Sequence, residues 1–430
     1  MYIVSLIKSL RPHRPEHLIM LSILIYSLCG VLKYYLPQAV CNSILYLCVF
    51  VFFSEILINI KLCSLTGMSR ILFCFLVIWS LCITIGTFFG ENLHTELKVY
   101  KGFIAQLVAY FSTPYFLPNF IPFILLCFPR NYQFDFKYLW RIMWLLCILY
   151  LCYYPFSFWS MTHYSWSLDS IVGEEWGASG TYGDFITNST KGISSLAPAA
   201  IVIFLKKYLA ANKWKMYFIA YIGSLLISAY LARRGGLTMS LLYLVVCWLM
   251  YAVADKNTSK IKLVILGLLM VMIVFMLFNN LSDSFFSTLT KRGNEDTRGG
   301  VEDSFMLDVF ANDDWILGRG WFGQYYESNL GIYRGGIETG YLSLILRGGI
   351  VYLIPYTLLL SISFVNGYFR SNNLLCKSFA LMCVMQLVSL YPYGWPAFNF
   401  MHFIMWLGVW ICNNSKYRKM SDCSIKKLYF

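Results

Sequence analysis

Charge is scarce in this chain: Asp, Glu, Lys and Arg make up 13% of its 430 residues, whereas 59% are apolar and 18% aromatic. An average soluble domain carries about 25% charged residues, so the composition excludes an ordinary soluble fold. The apolar runs are about 18–25 residues long, which is the length a helix needs to cross roughly 30 Å of hydrocarbon. Together with a mean hydropathy of +0.62, these runs predict an all-α, polytopic integral membrane protein.

The chain also lacks the patterns of several functional classes. It has 5 His without a cluster and contains no CxxC pair, so we expect neither a metal site nor a cofactor. The 14 Cys lie mostly within apolar runs, where we expect them to act as small apolar residues and not as disulfides. No internal repeat and no pair of matched broken segments is present, which argues against an inverted-repeat transporter.

The apolar runs predict a single transmembrane domain, residues 1–430, with about twelve spans. The fourth span contains Pro114, Pro118 and Pro122, so we expect it to be kinked or split. The predicted spans are 17–36, 39–60, 70–89, 103–127, 138–158, 192–210, 214–231, 236–253, 262–281, 338–364, 374–392 and 397–412.

Lys and Arg are concentrated in alternate connections between these spans, and this asymmetry fixes the predicted orientation. It places both termini in the cytoplasm, because the basic residues of both tails belong to the richer set. The net charge of +13 is therefore a topology signal that also suits an anionic lipid surface, and we expect no nucleic-acid partner.

Two connections on the opposite, outer side are much longer than the usual link between helices. They are the first outer loop, 159–191, and the large outer loop between spans nine and ten, 282–337. Within the second, residues 301–312 place Phe305, Met306, Val309 and Phe310 at helical spacing, which predicts a short amphipathic helix. Simple burial of that stripe is its plainest interpretation.

Several arginines lie on the side from which positive charge is otherwise absent. Arg233 and Arg234 follow one another at the junction of spans seven and eight, before two glycines. A guanidinium binds phosphate oxygens in a bidentate manner, so the pair is a candidate phosphate clamp. The alternative is snorkelling of both side chains to the lipid headgroups.

Three further arginines lie in the large outer loop among many carboxylates: Arg298, Arg319 and Arg334. Ion pairs within the loop could account for any of them. Arg319 is the best candidate for ligand binding, because the glycines beside it let a ligand approach the backbone. Arg347 differs, since an ionisable side chain inside a span is by default a functional hypothesis.

Glu338 opens span ten at the predicted outer face and is the candidate catalytic residue. A carboxylate there could act as a general base toward a sugar hydroxyl. It could equally pair with an arginine or occupy a helix N-terminus that favours negative charge.

The order of these motifs, ARRGG, then TRGG, WILGRGWFG and ETGYLSLILRGGI, resembles the bacterial O-antigen polymerase and O-antigen ligase superfamily. The resemblance covers about 230–352 in motifs and the whole chain in topology. Ligases of this family use a histidine near the end of the large loop, where this chain has Glu338 and Thr339. That departure favours a repeat-unit polymerase over a ligase.

The resemblance implies a glycosyltransferase of the bacterial inner membrane that joins oligosaccharides carried on undecaprenyl pyrophosphate. By position, Arg233 or Arg234, Arg298 and Arg319 would bind the pyrophosphate, and Glu338 would stand at the catalytic position. Whether a chain-length regulator binds is left open. The alternatives are a ligase that transfers finished polymer to lipid A core and, from a different class, a transporter of lipid-linked sugars.

Overall fold

The computed structural model describes residues 12–32, 36–61, 65–89, 104–106, 108, 116–163, 204–209, 211–230, 234–254, 267, 299–328, 330–337, 339–391 and 396–430. These residues are mostly helical, as the composition predicts, and they form two compact units. The described helices, in chain order, are α1 (Pro15–Leu32), α2 (Gln38–Ile58), α3 (Met68–Phe89), a 3₁₀ helix (Leu117–Cys127), α4 (Phe136–His163), α5 (Ala211–Tyr230), α6 (Arg234–Ala254), α7 (Gly299–Phe305) with a π-helical turn (Met306–Phe310), α8 (Gly340–Tyr368), α9 (Leu374–Ser389), α10 (Phe400–Asn413), α11 (Ser415–Lys419) and α12 (Asp422–Tyr429).

The first unit comprises Met1–Ile44, Gln133–Glu295 and Ser421–Phe430. In it, α5 packs against both α4 and α6, and the Tyr217 hydroxyl of α5 donates to the Trp140 carbonyl of α4 at 3.2 Å. The C-terminal helix α12 is fastened by aromatic contacts, with the Tyr429 ring 5.0 Å from that of Phe136. Aromatic packing therefore ties the end of the chain to the start of α4.

The second unit comprises Leu45–Tyr132 and Asp296–Met420, and α8 is its central element. Helix α8 packs against α3, α9 and α10. The close approach of α8 and α10 depends on Gly367, where a β-carbon would lie 2.3 Å from Cys412 Sγ. Small residues of this kind allow apolar helices to approach closely in a membrane.

Three of the described helical segments are long and apolar enough to cross a membrane: Ala39–Ile58, Met68–Phe88 and Gly340–Tyr368. Several shorter apolar helices accompany them, including Leu374–Ser389 and Phe400–Asn413. A membrane protein is therefore supported, whereas the number of about twelve spans and the single transmembrane domain stay predictions. The predicted ninth span, 262–281, lies outside the described residues except for residue 267.

The fourth predicted span contains a 3₁₀ helix instead of a continuous α-helix. Pro118 lies in its first turn and Pro122 lies inside it. Proline cannot donate a backbone hydrogen bond and its ring clashes with the preceding turn of an α-helix, which explains why the tighter helix forms here. The expected departure from regular α-helix at these prolines is confirmed.

Helix α8 is broken at Gly349, whose backbone angles of φ 69° and ψ −179° are open almost only to glycine. The break frees carbonyl groups at the end of the first half and N–H groups at the start of the second. A loop, residues 315–320, lies in the break and pairs with both sets. This loop belongs to the large outer loop of the sequence.

The pairing at the break is reciprocal. From the loop, Arg319 N–H donates to the Leu346 carbonyl at 2.6 Å and Gly320 N–H to the Arg347 carbonyl at 3.1 Å. From the helix, Ile350 N–H donates to the Trp315 carbonyl at 2.9 Å and Val351 N–H to the Ile316 carbonyl at 3.4 Å. The loop thus replaces the hydrogen bonds that the helix loses.

A two-stranded antiparallel hairpin follows the loop, formed by β1 (Tyr325–Glu327) and β2 (Ile332–Arg334). Its turn includes Gly331 at φ 67°. This hairpin was not predicted from the sequence. The described residues from 299 to 337, here called the docked segment, therefore contain α7, the π-helical turn, the loop and the hairpin.

Each of the twelve cysteines whose side chains are described is a free thiol, and most are buried. The expectation that they act as small apolar residues is confirmed for this part of the chain. Cys376, Cys383 and Cys412, for example, are fully buried in α9 and α10.

Gly349→Ala should prevent normal folding of the second unit. A β-carbon at this position would lie 2.0 Å from the Ile316 carbonyl oxygen, and the backbone angles alone cost about 1–3 kcal/mol for a residue with a side chain. Gly86→Ala is the matched control, because nothing lies within 4 Å of its β-carbon position in α3. We expect a lower yield of monodisperse protein and a lower Tm in detergent for the first variant only; equal Tm values for both would contradict the role assigned to the break.

Candidate functional site

The docked segment begins with α7 and a π-helical turn, which bury one apolar side. Phe305 and Val309 are fully buried and pack with Tyr325, Ile345 and Leu346. The short helix expected over 301–312 is therefore confirmed. Met306, in contrast, is 46% exposed, because the wider π-helical turn starts at this residue and shifts the register of the apolar side.

Arg319 is the main electrostatic link of the docked segment. Its Nη1 and Nη2 donate to the two carboxylate oxygens of Asp308 at 2.6 and 3.1 Å, and its Nε donates to Asp314 Oδ2 at 2.7 Å. Nη1 also donates to the Gln324 carbonyl at 2.8 Å. One side chain thereby connects the π-helical turn, the following turn and the approach to β1.

Asp308 also bonds to the hairpin. Its Oδ2 accepts from the Tyr326 N–H at 2.7 Å, which fixes the first strand of the hairpin to the π-helical turn. Burial lowers the pKa of Arg319, but hydrogen bonds and charge from Asp308 and Asp314 outweigh burial and leave the pKa raised. The guanidinium therefore stays charged and is held by protein carboxylates.

Only 4% of the Arg319 side chain is exposed. A group that is buried and bidentate to a carboxylate is poorly placed to clamp a ligand phosphate. The geometry therefore favours ion pairing within the loop, which the sequence analysis had kept as the alternative. Substrate binding by Arg319 stays a prediction.

Arg347 lies two residues before the break in α8 and is 1% exposed. Its Nε donates to the Trp321 carbonyl at 3.1 Å, its Nη2 to the Gly335 carbonyl at 3.1 Å and its Nη1 to the Ser343 hydroxyl. The side chain therefore joins the middle and the C-terminal end of the docked segment to α8. These contacts assign Arg347 a positioning role, while its predicted contact with substrate stays a prediction.

Trp321 fastens the docked segment to α3. Its indole N–H donates to the Thr84 hydroxyl at 3.0 Å and its backbone N–H to the Thr87 hydroxyl at 3.3 Å. From an earlier turn of α3, Trp79 Nε1 donates to the Gly348 carbonyl at 2.8 Å. Helix α3 therefore supports both the loop and the break in α8.

The inner face of the hairpin carries an ion pair. Arg334 Nη1 lies 2.9 Å from Glu327 Oε2. The Glu327 side chain is 5% exposed, whereas that of Arg334 is 41% exposed. Among the three candidate arginines whose side chains are described, Arg334 is therefore the one that reaches solvent, and this exposure makes it the best placed of them to meet a ligand.

Tyr325 lies directly opposite Arg334 in the hairpin and is fully buried. Its hydroxyl has no hydrogen-bond partner among the described residues. Burial raises the pKa of Tyr325 to about 12, although the Arg334 charge acts in the opposite direction. The phenol therefore stays neutral at physiological pH.

The carboxylate of Glu302 contacts the residue that precedes α8. The Thr339 hydroxyl, at the residue before the first turn of α8, donates to Glu302 Oε1 of α7. Close by, the Ser304 and Ser328 hydroxyls lie 3.0 Å apart and join α7 to the end of β1. Glu302 is half-buried. Its hydrogen-bond partner Thr339 directly follows Glu338 in the sequence.

The remaining candidate residues are not tested by the structure. Glu338, Arg233 and Arg298 lie outside the described residues, and Arg234 is described only as the first residue of α6. The described part of the chain contains no group of three or more His, Cys, Asp or Glu that could hold a metal ion.

Glu302, Glu327 and Tyr325 were not predicted from the sequence as site residues. The hairpin could have been found from the alternation of YYE and IYR around a glycine-containing turn, since such alternation is typical of short strands. That register would have placed Tyr325, Glu327 and Arg334 on one face. Nothing in the sequence indicates the contact between Glu302 and Thr339, which joins two separate helices.

No family model, no curated protein and no solved structure matches this chain.

Removing Arg319 should destabilise the docked segment. Breaking a buried ion pair by deleting one partner typically costs about 3–5 kcal/mol, because the other charge is left buried. We expect Arg319→Ala to lower the Tm in detergent and to make residues 299–337 sensitive to protease, with Arg319→Lys giving little rescue since lysine cannot bridge both carboxylates. Arg70→Ala, which removes an exposed arginine of α3, is the control.

A double-mutant cycle with Asp308 separates this link from a general loss of charge. Asp308→Ala should destabilise like Arg319→Ala, and the double variant should lose less than the sum of the two. Strict additivity would show that the pair does not act as a unit. Asp303→Ala, an exposed acid of α7, serves as the matched control.

Tyr325→Phe should reduce the loss of stability at alkaline pH. The folded-state pKa of about 12 exceeds the usual value of about 10, so the unfolded chain loses this proton first. The protonated Tyr325 phenol therefore makes its full contribution to the free energy of unfolding below about pH 10, and this contribution is lost as the pH rises toward 12. Tm values at pH 8 and 10.5 should differ less in Tyr325→Phe than in the control Tyr326→Phe, a residue that is 41% exposed. Equal differences would contradict the burial of the Tyr325 phenol.

Proposed function

We propose that this protein is a polysaccharide repeat-unit polymerase of a bacterial inner membrane, acting at the outer face. It would transfer a growing chain from undecaprenyl pyrophosphate to the next lipid-linked repeat unit. Two observations support the proposal: Glu302 accepts a hydrogen bond from Thr339 at the start of α8, a helix of membrane-spanning length, and Arg334 of the same docked segment is a partly exposed cation.

The chemistry that such a site would perform is a single group transfer. A hydroxyl oxygen of the incoming repeat unit attacks the anomeric carbon of the growing chain, and the bond from that carbon to the pyrophosphate oxygen breaks. The hydroxyl proton passes to a carboxylate, and the lipid pyrophosphate leaves with the bonding electron pair. The transfer needs no oxidant, reductant or additional co-reactant.

Two carboxylates qualify as the proton acceptor. Glu338 stands at the catalytic position by resemblance, and Glu302 is hydrogen-bonded to the adjacent Thr339. The hydrogen bond from Thr339 orients the Glu302 carboxylate and occupies its Oε1 atom. The acceptor hydroxyl of a sugar would therefore have to approach the other oxygen, Oε2.

Arginines would offset the charge that develops on the pyrophosphate. Arg334 has the exposure that this role requires, and Arg233 or Arg234 and Arg298 would complete the set. Preorganised positive groups of this kind stabilise a leaving group most effectively when they are fixed before reaction. Glu327 supplies such fixation for Arg334 from a buried position.

Arg319 and Arg347 would contribute indirectly. Their contacts hold the loop, the hairpin and α8 together, and correct orientation of two bulky lipid-linked substrates is itself a large part of such catalysis. This division leaves Arg334 for substrate and assigns the two buried arginines to positioning.

The test is polymer formation by the purified protein. Incubated with its lipid-linked repeat unit, the wild type should produce a ladder of lengths without any lipid A core acceptor. Product that forms only when that core is supplied would establish a ligase instead. Absence of any glycosidic product, with transport of the substrate across vesicles, would identify a transporter.

The same assay tests each candidate site residue individually. Glu302→Gln or Glu338→Gln should lower the turnover rate by about 10²–10⁴-fold if that carboxylate is the base. Arg334→Ala should also lower the turnover rate at temperatures well below its Tm, and the Tm itself should fall because Glu327 is left buried without its partner. Asp303→Asn, on the exposed side of α7, is the matched control. Normal ladders from Glu302→Gln, Glu338→Gln and Arg334→Ala would overturn the proposed site.

A further inference from the structure

A cavity of about 450 Å³ lies at the other end of α8, in the second unit. It is formed by the start of α3 and the last turns of α8. Its lining combines one cation, several polar side chains and apolar side chains, among them Arg370, Asn366, Ser69, Thr66, Met68 and Val365. A mixed lining of this kind suits an amphiphilic ligand.

A polar network behind the cavity holds its polar wall in place. The Asn413 side-chain carbonyl accepts from the Ser69 hydroxyl at 2.8 Å and from Asn366 Nδ2 at 2.9 Å. Asn413 Nδ2 donates in turn to the Ser363 hydroxyl at 2.8 Å. Because Asn413 is 5% exposed, this network is protected from solvent and connects α3, α8 and α10.

The network also orients the cation. Asn366 Oδ1 accepts from Arg370 Nη1 at 3.1 Å, and a guanidinium has five N–H donors in all. The planar group matches two oxygens of a phosphate at once. Arg370 is exposed and follows the end of α8, so a ligand can approach it from outside.

The apolar wall of the cavity faces outward along two candidate membrane-spanning helices. Met68 of α3 is 57% exposed and Val365 of α8 is 41% exposed. An inorganic anion would gain nothing from such a wall, whereas an acyl chain would bury against it. Basic pockets between transmembrane helices are known to bind anionic lipid headgroups.

We propose that this cavity binds an anionic phospholipid, with the headgroup phosphate on Arg370 and the acyl chains against Met68 and Val365. Thr66 lies in the lining as a hydroxyl donor to the headgroup. The site is separate from the proposed catalytic cluster, which lies at the start of α8, and does not depend on the proposed function.

The test is lipid binding by the full-length protein, purified in detergent and stripped of lipid. We expect phosphatidylglycerol to raise the Tm saturably, and phosphatidylcholine and inorganic phosphate to have little effect. Arg370→Gln should weaken phosphatidylglycerol binding by at least about tenfold, since a charged hydrogen bond is typically worth about 1.5–3 kcal/mol. Arg130→Gln is the matched control, because Arg130 is also exposed and also donates one side-chain hydrogen bond, to Ser415 Oγ at 3.1 Å.

A second variant tests the cavity without changing any charge. Ser361→Phe places a ring in the lining and should weaken phosphatidylglycerol binding while leaving Arg370 in place. Equal binding by wild type and Arg370→Gln would overturn the proposal. Equal stabilisation by phosphatidylcholine would also overturn it. Full stabilisation by inorganic phosphate would show that the cavity binds a soluble anion and not a lipid.

Discussion

The reciprocal backbone pairing between the loop 315–320 and the break in α8 is the interaction on which the rest of the second unit depends. A helix of membrane-spanning length cannot leave backbone groups unpaired, because each such group costs several kcal/mol in hydrocarbon. Gly349 permits the break and the loop satisfies the groups that it frees. Arg347, Trp79 and Trp321 then reinforce the same junction through side chains. Local irregularity in α8 is thus the means by which the docked segment is attached.

Charge in the docked segment is divided between two tasks. Arg319 uses its donors on Asp308, Asp314 and the Gln324 carbonyl, and so holds the segment together from within. Arg334 is anchored by Glu327 but keeps much of its side chain exposed. Both arginines were unusual for the same reason in the sequence, because the charge pattern predicts that both lie on the side with few cations. Only their surroundings distinguish a structural cation from one available to a ligand.

The extent to which sequence predicts this structure follows from the range of the interactions involved. Helices α3 and α8 were predicted within a few residues, because long apolar runs are strong local signals. The π-helical turn at Met306 was not predicted, since its register depends on packing against Tyr325 and Leu346. The break at Gly349 could be suspected from RGGI, but not the loop that fills it, because that pairing joins segments about thirty residues apart. Arg319 was interpreted from its flanking glycines. In the structure, one of these, Gly318, packs so close to Arg347 and Gly348 that a β-carbon there would lie under 3 Å from the helix backbone. Gly318 therefore allows the loop to pack closely against the backbone of α8.

The attachment of the docked segment to α8 has a consequence for how the protein is made. The loop is synthesised before the helix that it pairs with. Its hydrogen bonds to α8 can therefore form only after α8 has been synthesised and has entered the membrane. Its backbone partners do not exist until Ile350 and Val351 have been inserted and the break has formed. The segment is therefore expected to fold late and only on the assembled helices. Its apolar cluster includes Ile345 and Leu346 of α8 and Trp321 bonds to α3, so the complete packing of the segment requires both helices.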